Sequence, residues 1–220
     1  MKLRLTLAAL AALIPNAFAQ DSPIRRERIE WCDAWMPNMN DHDLPRVVLI
    51  GDSITRGYYP FVEQILNGKA YVARITTSKA VGDPALLDEL ATFLRQARFD
   101  VVHFNIGMHG WAYSEDEYRR NFPALVAAIG KHAPQAKLIW ASTTPIGSDT
   151  ESGARNDRIV RRNSIAGDLA LAQGIPIDDL HALMAPHAAM HSGNVHFNKE
   201  GSALMAEQVA REVSKLLPPR

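Results

Sequence analysis

The chain has 220 residues, with 24 Lys plus Arg against 24 Asp plus Glu, and one cysteine, Cys32. Balanced charge without a basic run leaves no electrostatic footprint for a nucleic-acid partner. A single thiol rules out an internal disulfide, so an exported form has to rest on its hydrophobic core.

In chain order, Lys2 and Arg4 precede an almost unbroken apolar run from Leu5 to Ile14, and Ala17-Phe18-Ala19 has the small-x-small form of a cleavage site. Residues 1–19 therefore read as a signal peptide, with an exported, slightly acidic mature chain beginning at Gln20 and destined for the periplasm or beyond. The apolar run is too short to cross a bilayer and no other segment comes close, so no stable membrane insertion is expected. About 200 residues remain, enough for one domain with a proper core.

Residues 20–45 are expected to form an aromatic helix followed by a linker. Asp21-Ser22-Pro23 suits a cap and first-turn proline, and Trp31 and Trp35 are four apart, on one helical face. They pack against the domain or form an aromatic wall for a ligand such as a sugar. Cys32, between them, is expected to be buried. Met36 to Pro45, with its prolines, asparagines and aspartates, is the linker.

From residue 46 to 220 strand and helix alternate. Val47-Val48-Leu49-Ile50 reads as a strand buried on both faces, broken by Gly51. Asp52 and Ser53 lie on the turn, ahead of a helix expected from Pro60 to Leu66. Strands follow at Ala70–Ile75, Val101–Ile106, Leu138–Ala141 and Ile175–Ile177. Helices are expected from Asp83-Pro84, from the capping-box spacing Ser114-x-x-Glu117, from about Arg155 to Ala172, and from about Asn198 to Leu217. The pattern is that of an α/β domain: a three-layer, flavodoxin-like arrangement with a parallel five-stranded sheet and helices on both faces. Ligands bind at the carboxyl ends of strands in such sheets. Ser53 is thus placed either as a nucleophile in the functional crevice or, with Asp52, as a cap of the next helix.

Gly51-Asp52-Ser53-Ile54-Thr55 near the start and Val195-His196-Phe197-Asn198-Lys199-Glu200-Gly201 near the end together resemble the SGNH, or GDSL, hydrolase superfamily of esterases and acylhydrolases. The resemblance runs from Val47 to the last helix. It implies that Ser53 is the nucleophile and His196 the base, because a serine hydroxyl needs an imidazole to take its proton. It also implies an oxyanion hole from the Ser53 backbone N–H, Gly82 and a side-chain donor. The family's asparagine, two residues after a glycine, is here replaced by His109 after Gly107, and Asn105 is the competing donor. The family's aspartate, three residues before the histidine, is replaced by Gly193. Asp178 and Asp179 are candidate substitutes, and a backbone carbonyl or a Ser–His dyad are the alternatives.

Tyr58, Tyr59, Trp111 and Tyr113 follow strand ends and are expected to line the substrate site, since aromatic faces suit sugars. His181, His187, His191 and His196 cluster in sequence without the spacing of a helical zinc pair, so neither a metal nor another cofactor is expected. The expected activity is hydrolysis of a short-chain, small-molecule or carbohydrate ester, with O-acetyl groups favoured. A lysophospholipase- or thioesterase-like acylhydrolase and a non-catalytic glycan-binding relative are the alternatives.

Overall fold

A computed structural model describes residues 23–151 and 153–219; the expected signal peptide lies outside the described residues. Residues in chain order form β1 (Cys32–Trp35), β2 (Arg46–Gly51), α1 (Ser53–Ile65), β3 (Tyr71–Thr77), α2 (Pro84–Leu94), β4 (Val101–Phe104), α3 (Glu115–His132), β5 (Lys137–Ala141), α4 (Asn156–Leu171), β6 (Ile177–Asp178), α5 (Leu180–Met184), β7 (His191–Ser192), β8 (His196–Phe197) and α6 (Lys199–Ser214). The main sheet has the order β1-β3-β2-β4-β5-β6, and β7 and β8 form a separate small hairpin. The five expected strands are all present and parallel.

Strand β2 lies at the centre, buried along its whole length. Its side chains alternate between two cores, as the pleat dictates. Val47 and Leu49 face α1 and α6, where they meet Val62, Met205 and Val209. Val48 and Ile50 face the opposite layer, with Leu86 and Leu90 of α2 and Phe122 and Leu125 of α3. The register pairs Ile50 with Ile75 on β3 and with Phe104 on β4, so the strand ends, and the loops after them, converge at one edge.

Two expectations about the amino-terminal region are corrected. No helix forms from residue 23 to Trp35; instead β1 adds antiparallel to β3, pairing Cys32 with Thr77 and Trp35 with Arg74. The reason lies in the partners of this arm. Arg25 pairs with Glu117, Arg26 with Asp83, Glu27 with His109 and Glu30 with Lys79. Partners spread across two loops and the first turn of α3 suit an extended segment, and the sheet edge satisfies the backbone of β1. Trp31 and Trp35 therefore share no helical face, and Trp35 is exposed. Cys32, on the edge strand, is exposed too.

A third correction concerns α1, which starts at Ser53 rather than at Pro60. Asp52 caps it by accepting the Ile54 N–H at 2.8 Å, and Pro60 is carried inside the helix. The capping box at Ser114 and Glu117 forms as its spacing indicates.

Candidate active site

Ser53 is the first residue of α1, immediately beyond the carboxyl end of the central strand. The strand has to turn into the helix within one residue, and Gly51 makes this feasible: a Cβ there would come within 2.0 Å of Thr55 Oγ1. Thr55 is fixed in turn by the Tyr58 hydroxyl at 3.0 Å. Ser53 thus presents its hydroxyl at a helix amino terminus, where backbone N–H groups and the helix dipole favour negative charge.

His196 stands on β8, just before α6, and its Nε2 lies 2.8 Å from Ser53 Oγ. The two residues are 143 positions apart in the chain. The hairpin that carries His196 is clamped from one side: Asn194 Oδ1 accepts from the Ser148 N–H at 2.7 Å and hydroxyl at 3.0 Å, and its Nδ2 donates to the Ser148 carbonyl at 2.8 Å. His191 Nε2 meets the Pro145 carbonyl at 3.2 Å. Among the described residues, neither a side chain nor a carbonyl bonds His196 Nδ1.

Both candidate acids are committed elsewhere. Asp178 lies 2.9 Å from His103 Nε2, with both side chains fully buried, and accepts from Gln208 Nε2 at 2.7 Å. Asp179 caps α5 through the Ala182 N–H and accepts the Ser142 hydroxyl. Neither orients His196, which corrects that expectation. Gly193 occupies the hairpin turn with φ of +76°, a left-handed conformation that glycine adopts without strain.

Ser53 and His196 open onto a cavity of about 520 Å³, walled also by Met108, His109, Trp111 and Val195 and by Arg25, Arg26, Glu27 and Arg28 of the arm. His109 is therefore brought to the site. Asn105 is not. It is buried, donating to the Ala141 carbonyl at 2.6 Å and to Thr143 Oγ1 at 3.1 Å, which ties the end of β4 to β5. Gly82 packs on the ring of Tyr113, where a Cβ would meet a ring carbon at 2.6 Å, and is not part of the cavity wall.

Of the four expected aromatic residues only Trp111 lines the cavity. Tyr58 and Tyr59 are core residues on the inner stripe of α1. Tyr59 donates to Glu63 and to the Val72 carbonyl. Tyr113 is buried, its hydroxyl accepting the Arg25 N–H at 2.9 Å. Their placement in the wall is corrected accordingly.

The loop bearing His109 and Trp111 is gripped by two arginines of α4 that sequence reasoning missed. Arg162, buried, donates to the carbonyls of His109, Gly110 and Tyr113 at 3.0, 3.0 and 2.9 Å, and its guanidinium lies 4.3 Å from the Trp111 ring centroid. Burial pulls its pKa down to about 10, still far above neutrality. Arg158 donates to the carbonyls of Trp111 and Tyr113 at 2.8 Å each, and to Glu115 at 2.6 Å. Their four-residue spacing on one helix face was the only signal available.

Among the described residues no group of three or more His, Cys, Asp or Glu is placed to hold a metal ion, and no helix is long and apolar enough to cross a membrane.

A model of the GDSL-like lipase/acylhydrolase family matches residues 49–204. The chain belongs to that family. No curated protein matches it. Several solved structures share its fold. A lipase/acylhydrolase from Enterococcus faecalis is 20% identical, with a TM-score of 0.64 over 80% of this chain and 98% of the other. A GDSL-like lipase from Bacteroides thetaiotaomicron is 19% identical, with a TM-score of 0.62 over 77% and 88%. An acetyl xylan esterase, AlAXEase, is 19% identical, with a TM-score of 0.60 over 76% and 99%. Membership in the GDSL-like family implies ester hydrolysis in general terms. At these identities the structural likeness is one of fold.

Proposed function

We propose that the protein is an exported serine esterase that hydrolyses short-chain acyl esters, O-acetyl groups on carbohydrates in particular, with a Ser53–His196 dyad. The observation that carries this reading is the 2.8 Å contact between His196 Nε2 and Ser53 Oγ at the carboxyl edge of the sheet. His196 takes the hydroxyl proton as Ser53 Oγ attacks the ester carbonyl, and returns it to the departing alkoxide. Water then attacks the acyl-serine by the same proton route in reverse, releasing the carboxylic acid. The Ser53 backbone N–H, at the amino terminus of α1, and the side chain of His109 face the negative charge of the tetrahedral oxygen.

Without a carboxylate partner, His196 depends on its hairpin for aim. Replacing the acid of a serine protease triad by its amide costs about 10⁴-fold, largely through the wrong tautomer. A dyad of this kind is accordingly expected to be slow beside a full triad. The carbohydrate preference is supported by Trp111 in the cavity wall and by the fold shared with an acetyl xylan esterase.

The test is a series of p-nitrophenyl acetate, butyrate and octanoate, with Ser53→Ala as control. Turnover lost in the variant and falling steeply with chain length is expected. Equal rates for the two proteins would refute the esterase reading, and a preference for octanoate would favour a long-chain acylhydrolase. Acetylated sugars then identify the alcohol.

A further inference from the structure

The loop after β4 contributes an imidazole, His109, to the cavity that Ser53 also lines, and an imidazole donates a hydrogen bond only from a nitrogen that carries a proton. His109 Nδ1 lies 3.0 Å from Glu27 Oε1. A carboxylate only accepts, so Nδ1 carries a proton. In a neutral ring Nε2 would then be bare, an acceptor useless to an oxyanion. In the imidazolium both nitrogens donate. Nε2 is buried and has no hydrogen-bond partner within the protein, an uncommon state for a polar atom unless its partner arrives with the substrate.

We propose that Glu27, on the amino-terminal arm, is a positioning residue that holds His109 as an imidazolium, whose Nε2–H donates to the oxyanion formed at Ser53. This rests on the esterase reading above. Three features of the structure support it. Glu27 also accepts the Gly110 N–H at 3.4 Å, which sets the carboxylate against the loop rather than against one atom. Trp31, on the same arm, meets the ring of His109 edge-on at 6.2 Å. Ion pairs of Arg25 with Glu117, Arg26 with Asp83 and Glu30 with Lys79 hold the arm in place on both sides of Glu27.

The charges around the ring favour the same state. Burial works against the imidazolium, but the bond to Glu27 and the charges of Asp52, Glu27 and Glu30 outweigh it and raise the His109 pKa above its ordinary value. Glu27 is held below the usual carboxylate range, first by its bond to His109. The cations at the cavity are Arg25 and Arg26, both paired, together with Arg28, and His196 is in the wall as well. Arg162 engages only the backbone carbonyl of His109. The family's asparagine is a donor at any pH. In this chain the donor is conditional on a proton, and the arm supplies the carboxylate that retains it.

The test is a pair of pH profiles of kcat/KM for p-nitrophenyl acetate, for Glu27→Gln in the natural background and in a His109→Asn background, with Ser53→Ala rates subtracted. Glutamine keeps an oxygen acceptor for Nδ1–H and loses only the charge. The natural protein is expected to lose rate on the alkaline side as His109 deprotonates. Glu27→Gln should move that fall to lower pH and so cut the rate on the alkaline side severalfold, since a lowered His109 pKa removes imidazolium there. In His109→Asn, whose amide needs no added proton, the alkaline fall should vanish and Glu27→Gln should cost less than about twofold. The imidazole resonances of His109, assigned by their loss in His109→Asn, should titrate above the ordinary value and drop in Glu27→Gln. Equal losses in both backgrounds, an unmoved alkaline limb, or an unshifted His109 titration would overturn the proposal while leaving Ser53-dependent turnover intact. A rate that Ser53→Ala does not abolish would instead overturn the esterase reading, and this proposal with it.

Discussion

Asp178 is bonded to His103, not to His196. The pair spans β4 and β6 in the middle of the molecule, with Nε2 and Oδ2 2.9 Å apart and both side chains sealed from solvent. Removing one member of such a pair leaves an unsatisfied buried polar group, which typically costs about 1–3 kcal/mol. Asp178→Asn, which turns one of the two accepting oxygens into a donor, is therefore expected to lower stability by up to about that amount in urea unfolding. It should leave kcat per folded molecule, and its pH profile, within about twofold of the natural protein, as distant sites act independently. Asp179→Ala should cost only about 1 kcal/mol, the usual worth of a helix cap, and Asp179→Asn, which keeps the accepting oxygen, almost nothing.

The hairpin takes over the aiming of His196. Asn194, two residues before it, makes three hydrogen bonds to Ser148. Asn194→Ala frees the turn from that loop. Misplacing a catalytic group by about 1 Å can cost about 100-fold, so kcat is expected to fall by roughly 10- to 100-fold while KM changes little. A fall in KM-dependent binding with kcat intact would show that the clamp shapes the cavity rather than the base.

Local chemistry made the nucleophile turn readable in advance. Four apolar residues, a glycine and a Ser at the strand end need no distant partner to be recognised. Gly193 was equally visible as a departure, though its cause was not: the turn there runs left-handed, at φ of +76°. Features that the local sequence does not reveal depend on partners far along the chain. Strand β1 pairs with residues some forty positions later, and nothing in Cys32–Trp35 encodes that register. Glu27 reaches His109 across 82 positions. The tyrosines illustrate a different failure. Once α1 is started at Pro60, Tyr58 and Tyr59 fall in a loop beside the site. Started at Ser53, the same helix puts them on one inner face with Val62.

The loop carrying His109 has few bonds of its own and borrows its shape from α4. Arg162 spans three of its carbonyls, and burial of a guanidinium is tolerated because each of these acceptors is engaged. Arg162→Met keeps the bulk and removes the donors. Hydrogen bonds from charged groups are worth about 1.5–3 kcal/mol each, partly offset by the relieved burial of charge, so a net loss of about 3 kcal/mol is expected. Turnover should fall as well, because the wall containing His109 and Trp111 loosens.

The arm contact gives stability its own pH window. The folded-state pKa of His109 is raised, so its contribution is fully present below the ordinary value of 6.5 and is lost as pH rises through the folded value. That of Glu27 is lowered, so its contribution is present above the ordinary value of 4.5 and is lost as pH falls through the folded one. Both act together between these limits. Because Glu27 is substantially exposed, solvent screening limits the effect to about 1 kcal/mol or less. The difference in melting temperature between the natural protein and Glu27→Gln should peak near pH 6 and shrink on either side. A difference that stayed constant from pH 4 to 9 would contradict this.

The turn before Ser53 can be tested by crowding it. A methyl group at position 51 would sit 2.0 Å from Thr55 Oγ1 and 2.6 Å from its Cβ. Both atoms belong to the first turns of α1, which cannot retreat without moving Ser53. Gly51→Ala is therefore expected to destabilise by about 2–3 kcal/mol, in the range of overpacked cores, and to lower kcat further than its stability loss explains. Thr55→Ala should rescue only part of this, since its Cβ still clashes. Thr55→Gly clears both atoms, at a cost of about 1 kcal/mol for glycine in a helix. In the Thr55→Gly background, then, Gly51→Ala should be far milder, and the coupling between the two positions should exceed about 1 kcal/mol. Additive losses would mean that the glycine is required for some reason other than the approach of Thr55.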